Sequence, residues 1–143
     1  MKLLGAAAIL AAAVLLHFYA VFFGLYELQM RQGNVWFDNL LHAAVGIAVA
    51  LVWFVILERI KPAASFLFRV VSTIVFVFIL AVCWELFEHG FFVFFHTHAL
   101  GLRVYPQPLT ESVWDSLSNL AGAALFLLLT VKGKARKADA IEE

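Results

Sequence analysis

The sequence has few charged residues and a single cysteine, and both shortages limit what the chain can be. Only 14% of its 143 residues are Asp, Glu, Lys or Arg, whereas 64% are hydrophobic. Soluble domains are about half apolar, so a chain this small could not bury so much apolar surface in water. Cys83 has no second cysteine to pair with, which excludes an intrachain disulfide and leaves the redox compartment open.

The apolar residues form long blocks instead of alternating with polar ones, and the mean hydropathy is +0.95. Each block approaches or exceeds the roughly 20 residues that a helix needs to cross a bilayer. We therefore predict an all-α polytopic membrane protein, a bundle of four transmembrane helices in residues 1–131. Residues 132–143 are predicted to be a disordered cytoplasmic tail. The four blocks are Leu3–Leu25, Leu40–Leu57, Phe66–Phe95 and Val113–Val131.

Basic residues are distributed unevenly although the net charge is zero. Eight of the ten Lys and Arg residues lie near the N-terminus, around the second connection or after the last block. The positive-inside rule makes those segments cytoplasmic, so both termini are predicted to lie inside a prokaryotic cell membrane. The first block resembles a signal peptide, but its apolar run reaches Leu25, which favours an uncleaved span.

Ionisable residues interrupt the third block at helical spacing. Glu88 and His89 follow Glu85 by three and four residues, so one helix face is expected to carry all three. An ionised carboxylate in hydrocarbon is costly unless it is paired, protonated or bound to a cation. These side chains therefore need partners from other helices.

Suitable partners occur where the second and fourth blocks begin. Asp38, His42 and Gly46 recur every fourth residue, and Asp115 and Asn119 repeat that spacing. Asp38 alone could be a helix N-cap, but the residues of the fourth block lie too far inside to be simple caps. With both termini inside, all three polar groups lie at the same outer level. We predict that they form one outward-facing site.

Three explanations of such a site remain open. A divalent cation would offset carboxylate repulsion: oxygen ligands suit Mg²⁺ or Mn²⁺, and imidazole admits Zn²⁺ or Fe²⁺. Alternatively, the acids could share protons in a transport relay. Finally, the polar groups could simply lock the helices together through hydrogen bonds.

The function that we favour is a metal-assisted enzyme acting on a lipid or cell-envelope precursor. Asp38 is assigned as a catalytic residue that orients or acts as the base, and Asn119 as the residue that orients the substrate. The alternatives are a small proton- or ion-coupled transporter and a non-catalytic envelope or resistance factor. Expected partners are membrane lipids and a second copy of the chain, without nucleic acid. The predicted metal ligands are His42, Glu85, Glu88 and Asp115.

Three segments carry the polar residues. The first has an acid and a histidine before a glycine, the second has two glutamates on the next span, and the third has Asp-x3-Asn before a glycine on the last span. They are WFDNLLHAAVG, WELFEH and WDSLSNLAGA. In this layout the chain resembles the YjdF-like uncharacterised inner-membrane proteins and, more distantly, the VanZ-like family, which is linked to glycopeptide resistance. The resemblance covers about Trp36–Leu129 and implies no settled activity. It implies these site residues: Asp38, His42, Glu85, Glu88, Asp115 and Asn119. His17, His89, His96 and His98 receive no role.

Overall fold

The computed structural model describes residues 2–23, 25, 36–95 and 109–142. Within these ranges the chain forms helices and no strand, which confirms the all-α prediction. The third helix has the bounds of the third apolar block. The helices are α1 (Lys2–Phe22), α2 (Trp36–Ile60), α3 (Phe66–Phe95) and α4 (Leu109–Glu142).

Three helices are long and apolar enough to cross a membrane over their described residues. The spans are Trp36–Ile60, Phe66–Gly90 and Leu109–Val131, with 25, 25 and 23 residues. The first helix has 21 residues, or about 31 Å at 1.5 Å per residue, and its described apolar run is Leu3–His17. A helical membrane bundle is thereby confirmed, while the side on which the termini lie stays a prediction.

The last helix continues beyond its apolar span to Glu142, so the prediction of a disordered tail was wrong. The tail is rich in Ala, Lys, Glu and Arg, which favour helix, and it lacks proline. Because the preceding span already provides a helical nucleus, each further residue extends the helix without a new nucleation cost.

The bundle packs small side chains inside and leaves large apolar ones on its outer surface. Ala6, Ala13 and Ala20 recur every seven residues along α1 and are at most 5% exposed. By contrast, Leu15 and Leu67 are 70% and 71% exposed. This arrangement suits lipid, where helices associate through close packing because exposed apolar side chains cost nothing there.

The helices α2 and α4 run parallel, since their contacts advance in the same direction from Asn39–Ser118 to Phe54–Phe126. A Cβ atom added to Gly46 would overlap the backbone carbonyl of Asn119. One added to Gly122 would overlap the backbone carbonyl of Ala43. Only glycine permits such an approach, so the small-residue face predicted for α2 lies in a close helix contact.

The helix α3 runs antiparallel to α2 and contacts it through polar and aromatic side chains near the short connection between the two helices. The Trp53 indole donates a hydrogen bond of 3.0 Å to the Ser72 hydroxyl and stacks on Phe76 at 4.0 Å between ring centroids. Arg69 contacts Glu58 at 3.4 Å. These contacts place the second half of α3 at the end of the bundle where α2 and α4 begin.

We predict that Gly46→Ala and Gly122→Ala each destabilise the bundle, because the added methyl group forces the two backbones apart. The expected cost is at least about 1–3 kcal/mol, the usual range for overpacking. Thermal unfolding in detergent, followed by circular dichroism, measures the effect. Gly5→Ala is the control, since nothing lies within 4 Å of its added Cβ. Equal melting temperatures for Gly46→Ala and Gly5→Ala would contradict the close contact.

Candidate functional site

Polar side chains from all four helices meet at the end of the bundle where α2 and α4 begin. Four other carboxylates lie within electrostatic range of Asp115, and His17 lies within range of His42. The structure thus brings together the six site residues named from the sequence. The polar cluster consists of His17, Asp38, His42, Glu85, Glu88, Glu111, Asp115 and Asn119.

Asp38, His42 and Asp115 form the most compact part, which we call the Asp–His–Asp group. His42 Nε2 lies 3.7 Å from Asp38 Oδ1 and 3.8 Å from Asp115 Oδ1. One ligand atom from each residue lies within 4.8 Å of the others. Two ligands at about 2.0–2.2 Å from one Zn²⁺ ion are at most about 4.4 Å apart. The group can therefore hold a metal ion after a slight contraction.

Asn119 fixes the orientation of the His42 ring. Its Nδ2 atom donates a hydrogen bond to the backbone carbonyl of Asp115 at 3.0 Å and lies 2.9 Å from His42 Nδ1. An amide nitrogen only donates, so Nδ1 accepts here and the neutral ring carries its proton on Nε2. A metal ion on Nε2 needs the opposite tautomer. A half-turn of the Asn119 amide provides it by presenting Oδ1 to Nδ1–H, at the cost of the hydrogen bond from Nδ2 to the Asp115 carbonyl.

A second polar link joins the same two helices, and the sequence analysis missed it. The Ser118 hydroxyl donates a hydrogen bond of 3.0 Å to Asn39 Oδ1. Asn39 directly follows Asp38, and Ser118 directly precedes Asn119. This adjacency to predicted site residues is the sequence feature that could have indicated the pair. This neutral pair helps to set the register of α2 against α4.

Several buried carboxylate oxygens have no hydrogen-bond partner among the described residues. They are both oxygens of Glu85, Oε2 of Glu88 and of Glu111, and Oδ2 of Asp115. Only 9% of Glu85 and 2% of Asp115 are exposed. The Ser112 side chain approaches Glu85 without reaching hydrogen-bond geometry. These buried carboxylates therefore need protons or cations to offset their charge.

The Lys and Arg residues of the described helices lie at the opposite end of the bundle from the polar cluster, as Arg59 and Arg69 illustrate. Two unit charges 4 Å apart interact by about 4 kcal/mol at an effective dielectric constant of about 20. Ionised carboxylates within electrostatic range of Asp115 would therefore repel it unless a ligand or protons neutralise them.

The roles predicted for individual residues stay predictions, and the structure shows where each residue lies. Asp38 belongs to the compact Asp–His–Asp group. Glu85 and Glu88 lie within electrostatic range of Asp115 but outside that group. Asn119 contacts His42.

The histidines occupy different positions relative to the cluster. His89 is exposed, whereas Glu85 is buried and Glu88 is half-buried, so the face predicted to carry all three residues turns its two glutamates inward and leaves His89 outside. Successive residues of an α-helix are separated by about 100° around the helix axis, so His89 points about 100° away from Glu88. The side of α3 between Glu85 and Glu88 faces the centre of the bundle. The His17 ring meets the Trp84 ring edge-on at 6.5 Å, beside the cluster. The His96 and His98 pair lies outside the described residues.

The apolar spans, the small-residue interior and the buried polar cluster define a polytopic helical membrane protein. The chain belongs to the family described as "Predicted membrane protein (DUF2238)", whose model matches residues 4–136. This is the YjdF-like family, so that resemblance is confirmed, while nothing supports the more distant VanZ-like one. No curated protein and no solved structure matches the chain.

We predict that Asn119→Leu weakens binding of Mn²⁺ or Zn²⁺ about 10–100-fold, the usual effect of losing a residue that orients a metal-binding histidine. Asn119→Asp should retain binding, because a carboxylate accepts from Nδ1–H and leaves Nε2 for the ion. Calorimetric titration of detergent-purified protein measures both. Asn39→Leu, which removes an amide from the same helix pair, serves as the control. Unchanged affinity in Asn119→Leu would exclude His42 as a ligand oriented by Asn119.

Proposed function

We propose that this protein is a membrane-embedded metalloenzyme that acts on a phosphoester of a lipid or cell-envelope precursor. The observation that carries the proposal is the buried Asp–His–Asp group, whose ligand atoms lie within 4.8 Å of one another. Two carboxylates and an imidazole form a ligand set that suits Mn²⁺, Zn²⁺ or Fe²⁺. Three protein ligands leave coordination positions open for water and substrate, as in catalytic metal sites.

The chemistry assigned to each residue follows from its neighbours. A divalent cation would supply a nucleophilic hydroxide and polarise the phosphoryl oxygen. Asp38, His42 and Asp115 would bind the cation, and Asn119 would hold the His42 ring in the tautomer that binding requires once its amide has turned to present Oδ1 to Nδ1–H. Glu85 buries two oxygens without a hydrogen-bond partner among the described residues and lies within electrostatic range of Asp115, so it adds negative charge that favours a cation.

The position of the cluster supports a polar headgroup as the substrate. The cluster lies where α2 and α4 begin, and Trp36, the first residue of α2, is 57% exposed. Tryptophan at this position is typical of the membrane interface, where lipid headgroups lie. The distribution of basic residues predicts that this end lies outside the cytoplasm, which favours envelope precursors over cytoplasmic lipids.

A second function, proton- or ion-coupled transport, is favoured by a different observation. The unpartnered oxygens of Glu85, Glu88 and Glu111 would be satisfied if the acids shared protons. His42, with its proton on Nε2 between two aspartates, could take part in such a relay. In this form the protein would move protons without holding a stoichiometric metal.

Metal content distinguishes the two functions. We expect detergent-purified protein, kept free of chelators and loaded with Mn²⁺ or Zn²⁺, to retain at least one equivalent by mass spectrometry. Asp115→Asn should lose the ion because it removes a charged ligand, and it should lower the hydrolysis of lipid phosphoesters by about 100-fold or more.

Glu58→Gln is the matched control, since it removes a carboxylate from the opposite end of α2 and should keep both metal and activity. Protein that retains no metal after loading would contradict the enzyme. Proton flux in liposomes, abolished by Asp115→Asn, would then support the transporter.

A further inference from the structure

We propose that the polar cluster holds a second divalent cation, bound by Glu85, Glu88 and Glu111 and joined to the first through Asp115 as a bridging ligand. This inference rests on the proposed function, because it extends the Asp–His–Asp site to a two-metal site. It assigns Glu111, which carried no role in the sequence analysis, to the metal site.

The two oxygens of Asp115 have different surroundings. Oδ1 lies 3.8 Å from His42 Nε2, within the Asp–His–Asp group. Oδ2 is buried without a hydrogen-bond partner among the described residues, on a residue that is only 2% exposed. A buried charged oxygen without a partner is costly, so it needs a ligand. A carboxylate that binds one ion through each oxygen would meet this need.

The three glutamates supply the remaining ligands. Glu85, with 9% of its surface exposed, buries both oxygens without a partner, and Glu88 and Glu111 each bury one. Glu85, Glu88 and Glu111 all lie within electrostatic range of Asp115. The unpartnered oxygens therefore belong to residues of one charged region, which Glu85 and Glu88 on α3 share with Glu111 and Asp115 on α4.

Charge repulsion is a second argument for a second ion. Glu85, Glu88 and Glu111 each lie within electrostatic range of Asp115. Like charges at such range repel unless protons or a cation neutralise them, and a divalent cation held by the three glutamates would offset that repulsion.

The two sites should differ in affinity and in metal preference. The ligand atoms of the Asp–His–Asp group lie within 4.8 Å of one another, whereas the three glutamates form no such compact group, so their flexible side chains must close around the ion. A purely carboxylate site suits Mg²⁺ or Mn²⁺, whereas the histidine site also admits Zn²⁺. Two ions about 3.5–4 Å apart can stabilise the attacking and the leaving oxygen of a phosphoester.

Titration with Mn²⁺ alone tests the proposal on the full-length protein in detergent. Wild type should bind two equivalents, one tightly and one more weakly, and electron paramagnetic resonance should detect spin coupling between them. Glu85→Gln and Glu111→Gln should each bind one tight equivalent with the spectrum of an isolated ion. Asp115→Asn should lose both ions, because Asp115 is a charged ligand of each.

Controls separate loss of a ligand from loss of the fold. Glu58→Gln should keep two equivalents, because this residue lies at the other end of the bundle. Helical content and size-exclusion profile should match wild type in every variant. If Glu85→Gln fails to fold, Glu111→Gln gives the same test at a less buried position.

The outcomes distinguish this inference from the proposed function. A single equivalent in wild type, retained in Glu85→Gln and lost in Asp115→Asn, would overturn the second ion and leave the proposed enzyme standing. No bound Mn²⁺ at all would overturn both. Two equivalents without spin coupling would overturn the bridging role of Asp115.

Discussion

The close contact between the backbones of α2 and α4 is the constraint on which the polar cluster depends. Gly46 and Gly122 each lie against a carbonyl of the other helix, so the two backbones approach as far as they can. The parallel direction of the pair then places His42 beside Asn119, one turn before each glycine contact. Larger residues at the crossing would push the two helices apart and break the 2.9 Å contact between the His42 and Asn119 side chains.

The interior is polar at one end and apolar beyond it. Ala50, Val77 and Ala123 form a buried apolar cluster below the polar residues, and Phe54 packs against Phe126. Water and ions entering at the polar end would meet this apolar layer. The bundle in this conformation is therefore better suited to binding and chemistry at one membrane face than to passage through the membrane.

The sequence was sufficient to predict the helices and the depth of the cluster, but not the rotation of each helix. Hydropathy gives the bounds of α3 correctly, and the basic residues show which helix ends share a level. Spacing cannot tell which part of a polar face points inward, because that depends on packing against neighbours. His89 consequently lies outside. The position of His17 in the sequence indicates no polar partner on another helix, yet the residue lies within electrostatic range of His42.

A purely structural role for the cluster is difficult to reconcile with its chemistry. The Asn39–Ser118 pair shows that a neutral hydrogen bond can join these helices at this level. Glu85 and Asp115, by contrast, bury oxygens without partners among the described residues. Such groups cost stability when nothing binds them, since a desolvated carboxylate needs a proton, a cation or a donor. Residues that only lock helices need not be charged, so buried carboxylates without partners among the described residues favour the proposed ligand site over a purely structural role.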